Sequence, residues 1–175
     1  MDILFRDRAE AGRRLAEKLT TYANRDGVIV LALPRGGVPI GYEVAHALSL
    51  PLDVFIVRKL GMPGHEELAM GAIASGGVRV LNEEVVRQLP NAGAAIKTAT
   101  DRERYELERR EVEYRDGRPA PELRGRMVIL VDDSLATGAT MRAAVAALRE
   151  RGVAKLMVAV PVGSPETYNH RVKTF

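Results

Sequence analysis

The sequence predicts an α/β fold: an open, mostly parallel sheet flanked by helices. Three observations carry that expectation. Four mainly apolar runs, residues 28–33, 52–57, 128–131 and 153–160, read as buried strands, the second and fourth each carrying one charge, Asp53 and Lys155. Helical patterns lie between them, so strands and helices alternate as they do in parallel sheets. Polar segments with small residues follow the runs, and in open parallel sheets ligands sit beyond the carboxyl ends of the strands.

Residues 6–22 have a helical pattern, with Ala9, Gly12, Ala16 and Leu19 near one face and charges opposite. Asn24-Arg25-Asp26-Gly27 is a turn before the first strand, 28–33. Pro34-Arg35-Gly36-Gly37 interrupts the apolar run, and 38–48 reads as a helix with Ile40, Val44 and Leu48 inward. The second buried strand, 52–57, ends at Arg58-Lys59 and completes a βαβ unit, for which a right-handed crossover is the rule. Residues 60–67 are a loop by composition. Residues 70–74 and 78–81 read as short strands of a hairpin around Ser75-Gly76-Gly77. Asn82 is placed to cap a short helix through Leu89, with Glu83 and Glu84 at its positive end. The stretch 92–115 is long, charged and helical. Glu106 with Arg110 and Glu111 with Arg115 are i,i+4 pairs, which fits a solvated surface helix better than a nucleic-acid face. Residues 116–125, with Pro119 and Pro121, form a connector.

With 175 residues and no internal repeat or linker, residues 1–175 are expected to form one domain. The chain has no cysteine, which excludes disulfide and thiolate chemistry and fits a reducing compartment. The charged start lacks a signal-peptide core, and no apolar run reaches membrane-spanning length. A soluble cytoplasmic protein without a membrane partner is therefore expected. Lys plus Arg number 26 against 23 Asp plus Glu, a mildly basic balance that suits a polyanionic small molecule and tolerates nucleic acid. There is no aromatic stacking platform or helix-turn-helix signature, so nucleic acid is not an expected partner. His46, His65 and His170 are scattered without ligand spacing, so no transition-metal site is expected.

The most informative stretch is Val128-Ile129-Leu130-Val131-Asp132-Asp133-Ser134-Leu135-Ala136-Thr137-Gly138-Ala139-Thr140. A buried strand ends on two carboxylates, a turn of small and hydroxyl residues follows, and a helical pattern begins at 141. Backbone N–H groups and the positive end of a helix suit a phosphate. Thr137 and Thr140 add hydroxyl donors, Gly138 lets the main chain approach closely, and carboxylates accept hydrogen bonds from sugar hydroxyls. The arrangement is suited to a sugar phosphate.

This segment resembles the signature of the type I phosphoribosyltransferases: four apolar residues, two acidic, three variable, then Thr-Gly-x-Thr. Leu-Pro-Arg-Gly-Gly-Val-Pro at 33–39 and Arg-Lys-Leu-Gly at 58–61 bring the chain nearest to a group of uncharacterised bacterial phosphoribosyltransferases. The resemblance implies phosphoribosyl pyrophosphate (PRPP) and a small-molecule acceptor as substrates, Mg²⁺ as cofactor, and a homodimer. It implies that Asp132 and Asp133 take the ribose 2′- and 3′-hydroxyls and support the metal directly or through water. Ser134, Leu135, Ala136, Thr137, Gly138, Ala139 and Thr140 would form the PRPP phosphate turn. Arg35, Gly36 and Gly37 would bind pyrophosphate. Arg58 and Lys59 resemble a second pyrophosphate contact, or else form a solvated strand end.

The implied reaction is transfer of ribose 5-phosphate to a nitrogenous base or related amine with release of pyrophosphate. The alternative is a PRPP- or nucleotide-sensing regulatory protein without turnover. Hypoxanthine–guanine members of the family carry an aspartate where this chain has Ala136, which weighs against 6-oxopurines. Asp133 is the catalytic candidate, with Glu66, or its neighbour Glu67, as a replacement acid or base in the 60–67 loop. After the last expected strand, 164–175 are few. Either 61–90 forms the hood over the acceptor, or a flexible loop there, or the chain is shorter than its relatives at its C-terminus.

Overall fold

A computed structural model describes residues 5–135 and 138–163. Two compact units are present; of the described residues, one holds 5–55, 121–135, 138 and 152–163, the other 56–120 and 139–151.

The first unit is built on a four-stranded parallel sheet of order β2-β1-β6-β7, made of β1 (Val28–Ala32), β2 (Leu52–Val54), β6 (Met127–Val131) and β7 (Lys155–Ala159). Helices α1 (Arg8–Glu17) and α2 (Gly37–Leu48) belong to the same unit. Every residue of β1 is buried, as a central parallel strand requires. Val28 and Val30 of β1 and Ile129 and Val131 of β6 pack with Ile40, Val44 and Leu48 of α2 and with Ala16 of α1 in one apolar cluster. Gly12 brings α1 close to α2: a Cβ there would stand 2.9 Å from the Ile40 carbonyl oxygen. The Asp7 carboxylate caps α1 by accepting the Glu10 N–H at 2.7 Å. The expected helix 6–22 is shorter than its pattern; it ends at Glu17, and Thr20–Tyr22 forms a separate 3-10 turn.

The second unit holds an antiparallel sheet of order β3-β4-β5, from β3 (Val57–Met62), β4 (His65–Ala74) and β5 (Val78–Leu81). It also holds the short α3 (Glu83–Val86), the long α4 (Ala92–Arg115) and α5 (Ala139–Glu150). Two sequence expectations are corrected here. Residues 52–57 are not one strand. Phe55 N–H still bonds the Ala32 carbonyl at 2.9 Å, but at Ile56 the chain leaves the parallel sheet. Ile56 N–H donates to the Ser75 hydroxyl at 2.9 Å, and Ser75 N–H to the Ile56 carbonyl at 2.8 Å. Unbroken hydrophobicity hides this switch because Phe55 and Ile56 are buried on both sides of it. Residues 60–67 are likewise not a loop: β3 runs to Met62 and β4 begins at His65, with register shifts around Gly61.

α4 is also more than a solvated surface. Ile96, Ala99, Thr100, Glu103 and Leu107 are buried at helical spacing, and the helix packs on β3 and β4. The Glu106–Arg110 and Glu111–Arg115 pairs form at 2.7 and 3.0 Å. Asn82 precedes α3 as its cap residue but makes no side-chain capping bond, and the helix ends at Val86.

Candidate functional site

β1 and β6 are parallel neighbours in register, with Ala32 opposite Val131. Leu33 N–H then donates to the Val131 carbonyl at 2.9 Å, so the two strands release their turns side by side. One turn is Pro34–Gly37, whose Pro34–Arg35 peptide is cis and in which Gly36 caps α2. Arg35 is exposed. At the α2 amino end Gly37 N–H donates to the Leu33 carbonyl at 3.0 Å and Val38 N–H to the Arg35 carbonyl at 3.1 Å, and the helix turns its positive pole toward this turn.

The other turn carries the acidic pair. The Asp133 carboxylate lies so close over the first turn that a Cβ on Gly36 would overlap it. A Cβ on Gly37 would stand 2.7 Å from the Val131 carbonyl oxygen and 3.0 Å from the Asp132 Cα. Close approach of main chain to main chain therefore requires Gly37, whereas at Gly36 the obstacle is the Asp133 side chain.

The two carboxylates differ in surroundings. Asp132 is pushed up to about 6, above the usual carboxylate range, chiefly by burial and further by the negative charge of Asp133, against the lowering effect of a hydrogen bond from the Asp133 N–H. That N–H donates to Asp132 Oδ1 at 2.8 Å. Asp133 Oδ2 instead accepts from Arg8 Nη2 at 2.8 Å and Nε at 3.2 Å, and the Ser134 hydroxyl stands 3.4 Å from its Oδ1. Sequence reasoning missed Arg8. The residue is one of several charges on an amphipathic helix, 125 positions from its partner, and no local pattern marks it. Further along, Leu135 N–H donates to the Val162 carbonyl at 3.0 Å, and Leu135 bridges Gly163 in parallel.

Ala136 and Thr137 lie outside the described residues. Gly138 is buried with φ of 69°, a left-handed conformation that favours glycine, and Ala139 begins α5. Within the second unit, Thr140 of α5 and Lys59 of β3 line one cavity of about 520 Å³ with Val57, Ala72, Val80 and Asn82.

The expectation that Arg58-Lys59 ends a parallel strand is corrected: both lie inside antiparallel β3. Successive strand residues face opposite sides. Arg58 is held by Glu103 of α4, through Nε at 2.9 Å and Nη2 at 2.8 Å, whereas Lys59 is exposed and faces the cavity with Thr140. Glu66 is exposed near the start of β4, with Arg102 Nη1 3.6 Å from its carboxylate. Among the described residues no three His, Cys, Asp or Glu side chains cluster to hold a metal, and no helix is long and apolar enough to cross a membrane.

Comparison with known proteins bears on this geometry. The family model described as "Phosphoribosyl transferase domain" matches residues 4–175. The chain is 49% identical over 160 residues to the "Putative phosphoribosyl transferase Rv0571c" of Mycobacterium tuberculosis; the match covers 91% of this chain but 36% of that protein. The crystal structure of TT1426 from Thermus thermophilus superposes with a TM-score of 0.81 at 42% identity, covering 95% of this chain and 80% of that one. A Staphylococcus aureus hypoxanthine phosphoribosyltransferase shares the fold, with a TM-score of 0.53 at 13% identity over 91% of this chain and 65% of that one. The strand-end acidic pair, the glycine turn set against it and the match along nearly the whole sequence agree: the chain belongs to the type I phosphoribosyltransferase family.

Proposed function

We propose that this domain transfers the 5-phosphoribosyl group of PRPP to a nitrogen acceptor and releases pyrophosphate. The observation that carries the reading is the contact of Asp133 with Gly36, which sets a hydroxyl-accepting carboxylate against an anion-binding turn. Asp132 and Asp133 accept from the ribose hydroxyls. The main chain and hydroxyls of 134–140 take the 5′-phosphate. Arg35, Gly36 and Gly37 form the pyrophosphate turn, Arg35 offering the planar fork that suits its oxygens, while the Gly37 N–H is held by the Leu33 carbonyl at 3.0 Å. By motif position Lys59 joins the pyrophosphate set. Arg58, engaged by Glu103, does not.

Chemically, the bond from ribose C1 to the pyrophosphate oxygen breaks with its electron pair leaving on pyrophosphate. The acceptor nitrogen bonds to C1 and loses a proton. Negative charge grows on the leaving group, so catalysis here is positioning plus electrostatic stabilisation by fixed donors. Glu66 is the residue of this chain proposed to take the acceptor proton.

Mg²⁺ binds through one or two carboxylates together with substrate phosphates. Asp132 and Asp133 are a donor set of that kind, adjacent and with Asp132 raised by burial and like charge, so they fit an ion arriving with PRPP. When bound, the ion supplies neutralisation of pyrophosphate charge. The same reading includes a homodimer, which sedimentation of the purified chain tests. It also assigns 61–90, which form the β3–β4 turn, β4, β5 and α3, to a loop or hood insertion.

The direct test is pyrophosphate release from Mg²⁺–PRPP across purines, pyrimidines and simple amines. Acceptor-dependent release is expected. Asp132→Asn combined with Asp133→Asn is expected to abolish PRPP binding in calorimetry while a cooperative melt persists. Silence with every acceptor, together with tight PRPP binding, would instead favour a sensing protein without turnover.

A further inference from the structure

A cavity of about 410 Å³ opens within the first unit at the amino ends of the parallel strands, the opposite end from the acidic pair. Three segments line it: the turn from Asn24 into β1, Ser49 and Pro51 ahead of β2, and Arg126 ahead of β6. We propose that this cavity is a second binding site, that it takes a sugar phosphate, and that Arg25 and Arg126 hold the phosphate while Asp26 accepts from the sugar hydroxyls. The inference is independent of the phosphoribosyl-transfer reading, whose site lies one five-residue strand away, about 16 Å along β1.

Charge comes first. Two guanidiniums and one carboxylate line the space, a surplus of one positive charge. Other arginines of this chain are engaged by carboxylates: Arg8 by Asp133, Arg58 by Glu103, Arg110 by Glu106. Arg25 and Arg126 are not. Arg25 lies over the Tyr22 ring, 5.8 Å from its centroid, and among the described residues neither guanidinium has an ion pair or a side-chain hydrogen bond. Arg126 is half-buried, which confines its head group. α2 ends beside the cavity, and the negative pole of a helix opposes an anion. Its last carbonyls are closed, however. Ser49 N–H donates to the His46 carbonyl at 3.3 Å, Leu50 N–H to that of Ala45 at 2.9 Å, and Asn24 N–H to that of Leu48 at 2.8 Å. A pole of roughly half a charge does not cancel the surplus.

The uncharged groups set the rest of the ligand. The Asp26 and Gly27 N–H groups, the Asn24 amide and the Ser49 hydroxyl make no hydrogen bond among the described residues. Guanidinium forks match phosphate oxygens. A carboxylate, an amide and a hydroxyl suit groups that both donate and accept, as sugar hydroxyls do. Only Val28 and Pro51 bring apolar side chains, and among the described residues no aromatic ring lines the space, so a nucleobase has no stacking face. The volume falls in the range of about 300 to 1,000 Å³ usual for organic ligands, more than inorganic phosphate needs.

The test is an amide-resolved NMR titration of the isotope-labelled chain with inorganic phosphate, ribose and ribose 5-phosphate. Ribose 5-phosphate is expected to shift the Gly27 and Ser49 amides with an affinity at least fivefold above that of inorganic phosphate, and ribose alone to leave them unmoved. Binding of the same probe at the phosphoribosyl site is read separately, at the Gly37 and Gly138 amides. Arg25→Gln and Arg126→Gln are each expected to weaken the Gly27 and Ser49 response at least fivefold, with the Gly37 and Gly138 response within twofold of wild type. If Arg126→Gln loses the dispersed wild-type spectrum, Arg126→Lys replaces it; keeping the charge without the fork, it is expected to weaken the response at least twofold. Asp26→Asn removes a like charge and is expected to raise the affinity for inorganic phosphate and to narrow the preference for the sugar phosphate. Unmoved Gly27 and Ser49 amides overturn the inference. So do wild-type affinities in the arginine variants, or equal affinities for phosphate and ribose 5-phosphate. Absence of the Gly37 and Gly138 response alone counts against the phosphoribosyl-transfer reading and leaves this site standing.

Discussion

Gly37→Ala sets two opposing effects against each other at the first residue of α2. Alanine is favoured over glycine in helices by about 0.5–1 kcal/mol, so backbone entropy alone predicts a more stable protein. The structure predicts the reverse. The new Cβ would stand 2.7 Å from the Val131 carbonyl oxygen and 3.0 Å from the Asp132 Cα, and both obstacles are main-chain atoms of the strand end rather than side chains that can swing away. Overpacking of this kind costs about 1–3 kcal/mol, which exceeds the helix gain and leaves a net loss of about 1–2 kcal/mol. For a chain of this size each kcal/mol moves Tm by about 2–4 °C, so Tm should fall by about 2–8 °C. Relief of the clash would also separate the two turns, and PRPP affinity should drop at least tenfold. Gly93→Ala is the control: nothing lies within 4 Å of its Cβ, so only the helix gain remains and Tm should rise by about 1–4 °C with PRPP affinity unchanged. Paired thermal melts and calorimetry decide the matter. A Gly37→Ala variant that melts at or above wild type refutes the close-approach argument.

Asp132→Asn keeps the oxygen that accepts the Asp133 N–H and removes a charge held at a pKa of about 6 against an ordinary 3.8. The folded chain keeps this proton at higher pH than the unfolded chain, so the carboxylate costs nothing below about pH 4 and destabilises increasingly as pH rises through 6. A displacement of that size is worth roughly 3 kcal/mol for a fully buried group; with part of the side chain exposed and solvent-screened, about 1 kcal/mol remains. The variant should melt about 2–4 °C above wild type at pH 7.5, with a smaller gap at pH 5; a gap that does not widen with pH counts against the assignment. Arg58→Ala removes one of the two cations on a largely buried Glu103, leaving Arg102 Nε at 3.1 Å, and should cost about 1–2 kcal/mol in denaturant melts, whereas Lys59→Ala should leave stability within about 0.5 kcal/mol and raise the KM for PRPP. Equal stability losses in both would contradict the opposite facing of the two side chains. Glu66→Gln should lower kcat more than about tenfold with PRPP KM unchanged, and a wild-type kcat would eliminate Glu66 as the proton acceptor.

The legible part of this protein is the part that is contiguous in the chain. Strand, acidic pair, small-residue turn and helix start follow one another from Met127 to Thr140, so neighbouring residues alone define the strand end and the turn after it. The apolar runs also announced β1 and β6, because a strand covered on both faces must be hydrophobic throughout, and β7, an edge strand whose run tolerates the exposed Lys155. The same property concealed the change of sheet at Phe55 and Ile56: burial looks alike on either side of it, and only the pairing of Ile56 with Ser75 reveals which sheet each residue joins. α4 looked solvated because its buried stripe includes Glu103, a charge tolerated there by its bond to Arg58 on another element. Arg8 on Asp133, Gly36 beneath that same carboxylate and Gly37 against the Val131 carbonyl join segments far apart in sequence. Local composition thus determined which chemistry this chain carries, through short-range propensity and hydrophobic burial. Only tertiary structure decided which side chains face one another, because hydrogen bonds, ion pairs and steric contacts depend on distance in space and leave no local trace when their partners are remote in the chain.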